Sequence, residues 1–142
     1  MRKKTWIAIA ALAAIAAGAY AYSEYGRRPR QAGDMKASTT ITAHELHAAF
    51  FTGEEAATAR YVGSQAQAIL VTGTIRTLER GDAGGSVILA TADEMAGVVC
   101  EFAAGALPDE WQVGQEVRVQ GICTGMNDLI PDVIMVRCVE GR

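Results

Sequence analysis

The sequence predicts a mainly β fold: a five-stranded barrel preceded by one kinked or two short α-helices, behind an N-terminal transmembrane helix. Three observations carry this. Period-two alternation of apolar and polar residues recurs in five short runs between Ile69 and Cys138. Two of those runs hold a glycine at mid-length, Val71-Thr72-Gly73-Thr74-Ile75 and Val119-Gln120-Gly121-Ile122-Cys123, and a glycine inside a strand marks a bend in a coiled sheet. The third is the uncharged run from Thr5 to Ser23, 19 residues long. That is close to the ~20 that span a hydrocarbon core as a helix.

The N-terminal run follows a basic lead, Arg2-Lys3-Lys4, with Trp6 at one edge and Tyr20, Tyr22 and Tyr25 at the other, as an interfacial aromatic belt would have it. A cleavable signal peptide is the rival reading, because Ala19-Tyr20-Ala21 matches a small-residue cleavage site. Against it, the apolar stretch exceeds the usual ~7–15 residues, and Arg27, Arg28 and Arg30 follow closely. Residues 1–25 are thus expected to be a membrane anchor or a signal peptide. The expected location is the inner membrane, single-pass with the domain in the periplasm, or free in the periplasm if cleaved. Residues 26–40, polar with Gly and Pro, read as a flexible tether to a domain over residues 41–142.

That domain opens with Thr42-x-x-Glu45, a capping box, followed by Leu46, Ala49 and Phe50 at helical spacing, with Ala57 and Tyr61 extending the stripe. Gly53 interrupts it, and Thr52 with Glu55 offers a second capping box. From Ala68 the period becomes two. Strands are expected at Ala68–Leu78, Ser86–Thr91 and Val98–Phe102, with a turn over Glu79–Gly85 and a short helical stretch near Asp109–Trp111. Residues 115–138 then read as a closing hairpin. Val117, Val119, Gly121 and Cys123 share one parity outbound; Ile134, Val136 and Cys138 share one on the return. This would set Cys123 opposite or nearly opposite Cys138, within reach of a disulfide, though Cys100 could take either partner instead.

Five strands with the one non-strand insertion between the third and fourth match the OB-type Greek-key barrel. Tyr61-Val-Gly63, Val71-x-Gly73, Val99-Cys100-x-Phe102, Gly114, Val117-x-Val119-x-Gly121-x-Cys123-x-Gly125, Asp132-Val133 and Cys138 together resemble the bacterial tRNA_anti-like family, from about Thr42 to Val139. The resemblance implies an OB barrel behind an N-terminal anchor, and carries no established activity with it.

Charge narrows the function. Residues 1–36 hold seven Lys/Arg against Glu24 and Asp34, so of the net −3 the remainder carries −8, with six arginines and no lysine. Such a domain repels phosphate backbones, and its second and third strands offer only Phe102 for stacking bases, so single-stranded nucleic-acid binding is the disfavoured alternative. A thiol or metal enzyme is a further alternative. Cys100 has Glu101 beside it rather than a cation, and His44-Glu-Leu-His47 is one residue short of the H-E-x-x-H spacing, so exposed helix histidines are expected. No cofactor motif, P-loop or calcium loop is present. The leading expectation is a membrane-tethered binding module without catalysis. Its protein, peptide or small-molecule ligand would meet a face holding Arg76, Glu101 and Phe102.

Overall fold

The computed structural model describes residues 2–25, 35–65 and 67–141. Helix α1 runs Arg2–Tyr25. Its Lys3–Ser23 segment is long and apolar enough to cross a membrane, and none of it is buried against the rest of the chain. Most of the stretch read as a tether, residues 26–34, lies outside the described residues. Its last part does not fit that reading. Ala37–Thr42 forms strand β1, lying parallel to the start of β2 (Ala68–Gly81). Thr40 and Ile41 pair with Leu70 and Val71, and one face of the strand is half-buried. The segment ASTTIT is rich in β-branched residues but too short and polar to declare itself; the partner edge supplies the order.

Thr42 ends β1 and caps α2 (Ala43–Thr52). Its hydroxyl accepts from Glu45 N at 3.1 Å, and the Glu45 carboxylate accepts from Thr42 N at 3.2 Å. Both halves of the first capping box are therefore made. Ala43, Leu46, His47 and Phe50 face inward at i, i+3, i+4 and i+7, so α2 plugs one end of the barrel. The second capping box is not made. Thr52 Oγ1 donates back to the Ala48 carbonyl, and Gly53, not Thr52, precedes α3 (Glu54–Ala57), which runs on into a π-turn over Thr58–Val62. Of the two expected forms, two short helices is the one observed.

The remaining strands are β3 (Gly84–Ala90), β4 (Gly97–Ala103), β5 (Glu116–Met126) and β6 (Val133–Glu140). The order β2-β3-β4-β6-β5 closes through a β2–β5 pairing, with β4 and β6 parallel, which is the five-stranded barrel predicted, plus the extra strand β1. The turn expected over Glu79–Gly85 shrinks to Asp82-Ala83, because Gly81 already pairs with Gly84. Asp109–Trp111 is a turn, not a helix. Gly73 sits beneath α2: a Cβ there would lie 3.0 Å from that of Ala43 and 3.3 Å from that of Leu89. The missing side chain therefore lets the helix close onto the sheet.

The parity of the last strand departs from expectation. Val133 and Met135 point inward, Ile134 and Val136 do not, and Cys138 is inward again. The cause is a bulge. Arg137 adopts φ +54°, so three steps along β6 (Met135 to Cys138) oppose two along β4 (Cys100 to Phe102). A left-handed arginine has no signature in an apolar–polar pattern.

Candidate functional site

Of the three residues of the expected ligand face, Glu101 and Phe102 line one open groove beside the β2–β3 hairpin, and Arg76 is not among its lining residues. Phe102 is buried, with its ring edge-on to Trp111 at 5.8 Å, and belongs to the core. Arg76 reaches under the β3–β4 loop, where Nη1 donates to the carbonyls of Ala96 (2.8 Å), Glu94 (3.1 Å) and Asp93 (3.4 Å). That guanidinium holds a loop in place. Glu101 alone is exposed, across from Ser86, on an open groove of about 700 Å³ beside the β2–β3 hairpin. Arg80, four residues beyond Arg76, shares that groove and holds the β4–β5 loop through the carbonyls of Pro108, Trp111 and Asp109 at 2.8, 3.1 and 3.2 Å.

The cysteines also arrange themselves otherwise. Cys123 lies opposite Met135, not opposite Cys138. Cys138 lies three residues further along β6, over Gly121, where a Cβ would come 2.6 Å from the Cys138 sulfur. All three thiols are free and buried. The hydrogen bond with Cys138, followed by burial, pushes the Cys100 thiol well above its ordinary range. Burial pushes Cys123 up to about 11, against a lowering hydrogen bond from the Gly125 backbone. A nucleophilic cysteine needs the opposite shift, a stabilised thiolate at an accessible position. The sulfur cluster is therefore core.

His44 is exposed as expected, but His47 is buried. Its Nε2 lies 2.9 Å from the Pro131 carbonyl, which can only accept, so Nε2 carries the proton. Its ring stacks on Phe51 with centroids 6.2 Å apart. Among the described residues, no group of three His, Cys, Asp or Glu is placed to hold a metal ion.

His47 instead points to a surface that sequence reasoning did not find. It ties α2 to the β5–β6 loop. Asp132 in that loop accepts from Gly97 N at 2.8 Å, tying the loop to β4, and Arg76 fixes the β3–β4 loop alongside. Three segments far apart in sequence thus meet at the α2 end of the barrel, each anchored by a polar side chain. On this braced frame the large apolar side chains point outward: Phe51 is 74% exposed, Met95 81%, Leu129 92% and Ile130 51%. Between α2 and the β3–β4 loop lies an open groove of about 620 Å³, lined by His47, Ala48, Phe51, Ala92, Asp93, Glu94 and Met95. Leu129 and Ile130 offered the only sequence signal, as two apolar residues inside an otherwise polar turn.

A comparison with curated proteins finds no match. The family model described as tRNA_anti-like matches residues 1–140, so it takes in the N-terminal helix as well as the barrel. With a closed five-stranded barrel, an extra edge strand and a helix plugging one end, this chain belongs to the tRNA_anti-like family.

Proposed function

We propose that this protein is a membrane-tethered binding module, without catalysis, whose OB-like barrel presents the α2 end to a protein or peptide partner on the periplasmic side. The observation that carries the reading is the exposure of Phe51, Met95, Leu129 and Ile130 on segments held by His47, Arg76 and Asp132. Solvent-exposed large apolar residues clustered on ordered backbone mark interaction sites, because leaving them bare costs free energy that burial in a complex recovers. The apolar helix α1 supports the tether. The carboxylate excess over residues 37–142 supports a partner other than nucleic acid.

Site-specific photo-crosslinking in intact membranes tests this. A photoreactive side chain at position 51 or 129 is expected to capture a defined partner, and one at position 113, elsewhere on the barrel, is not. Equal capture from all three positions, or none from 51 and 129, would remove the site from this end of the barrel. Protease protection of the domain in intact cells, lost on opening the outer membrane, checks the periplasmic placement. Digestion only after the inner membrane is breached would reverse it.

A further inference from the structure

The α2 end is apolar in shape and acidic in charge. Helices α2 and α3, the β3–β4 loop (residues 91–96) and the β5–β6 loop (residues 127–132) contribute Glu45, Glu54, Glu55, Asp93, Glu94, Asp128 and Asp132, and no Lys or Arg. Three of these carboxylates accept backbone hydrogen bonds, among them Glu45 from Thr42 N and Asp132 from Gly97 N. Asp93 takes one bond from Met95 N. The guanidinium of Arg76, beside the β3–β4 loop, is turned inward onto three carbonyls. Glu54, Glu55, Asp93, Glu94 and Asp128 are all exposed; Asp93 and Glu94 line the groove with Phe51 and Met95, and Asp128 adjoins Leu129 in the chain.

That combination selects an occupant. A second copy of the chain would set one acidic rim against another, and like charges across an interface oppose association. An anionic membrane surface is repelled for the same reason. A cationic amphipathic segment has neither conflict. One large apolar side chain would enter between Phe51 and Met95, whose unbranched thioether adapts to varied shapes, while Lys or Arg on its flanks would meet Asp93, Glu94 and Asp128. We propose that the partner presents such a segment, a basic amphipathic helix seated in the groove between α2 and the β3–β4 loop. This rests on the binding-module reading above and adds to it the chemical class of the partner.

The test uses the full chain in nanodiscs of zwitterionic lipid and a short labelled amphipathic helix of Leu and Lys. Two counterparts accompany it, one with Glu for Lys and one with Ser for Leu. Binding by fluorescence anisotropy is expected for the Leu/Lys peptide alone. It should weaken by about tenfold or more in a Phe51→Ser/Met95→Ser double variant, and with added salt in the parent chain. Asp93→Asn/Glu94→Gln should also weaken it, and Val113→Ser, away from the groove, should not.

Equal binding of the Ser/Lys peptide would reduce the effect to bulk attraction by an acidic domain and overturn the proposal. So would equal binding of the Leu/Glu peptide, or indifference to the double variant. Quenching of a fluorophore at position 129 by brominated lipid would give this face to the bilayer instead. A shift from dimer to monomer in the double variant, without peptide binding, would give it to a second copy. Capture of a partner from position 51 without Leu/Lys binding would remove only the partner's chemistry, whereas absence of capture would remove the binding-module reading itself.

Discussion

Arg76 and Arg80 lie four residues apart on β2 and do the same work in two regions of the barrel. Each guanidinium gathers three backbone carbonyls of a long loop. What the loops then do with their apolar residues differs. The loop held by Arg80 turns Trp111 inward onto Phe102, and Leu107 packs against the same core. The loop held by Arg76 leaves Met95 in water beside Phe51. The same bracing thus completes a core in one place and fixes a bare surface in the other. Several large apolar side chains left out together point to a partner, whereas a single one such as Val113, in the loop held by Arg80, does not.

The largest expected effect follows from the region that completes the core. Phe102→Ala removes a buried ring and its contact with Trp111, and should cost about 3–5 kcal/mol by urea unfolding. A cost below about 1 kcal/mol would mean that the ring is not part of the core. Next comes Arg76→Ala, which strips three carbonyls of a charged donor and should cost about 1.5–3 kcal/mol, with faster hydrogen exchange confined to residues 91–97. Arg80→Ala should cost less, about 0.5–1.5 kcal/mol, since its side chain is more open to solvent and its contact with Asp109, at 3.8 Å, is screened. If Arg80→Ala proved the costlier of the two, the comparison between these loops would be inverted. Smallest are Phe51→Ser and Glu101→Ala, both expected within about 0.5 kcal/mol of the parent in stability. They would part company in crosslinking or peptide binding, where only Phe51→Ser should matter.

The barrel was legible in the sequence because its signals are periodic and local. Alternation along β3 to β5, the mid-strand glycines Gly73 and Gly121, and the Thr42–Glu45 cap all survive in the structure, whereas β2 opens on an unbroken buried run, Ala68 to Val71. What escaped depends on tertiary context. Strand β1 is ordered by the β2 edge rather than by its own pattern. Arg137 resets the parity of β6, and the register set at the hairpin turn, where Met126 pairs with Val133, puts Cys123 opposite Met135 rather than Cys138. The candidate site was the least legible part. Phe51, Met95 and Leu129 belong to three distant segments, and nothing local distinguishes a bare phenylalanine on a helix from a buried one. Of Arg76, Glu101 and Phe102, a set when strands are drawn flat, closure turns Arg76 to bracing a loop and most of Phe102 into the core, while Glu101 and Phe102 still line one groove.

The four sulfur atoms around the β4–β6–β5 seam have a practical consequence. Cys100 and Cys123 flank Met135 in register, and Cys138 lies over Gly121 one layer further on. Every thiol is sealed in the barrel, so a small alkylating reagent can reach one only when the strands part. Strand β6 bridges β4 and β5. The modification rate of these thiols therefore serves as a built-in clock for opening of that seam. Uniform rates at the three positions would describe a barrel that opens all at once, and a faster rate at Cys138 a closing strand that frays from its C-terminal end.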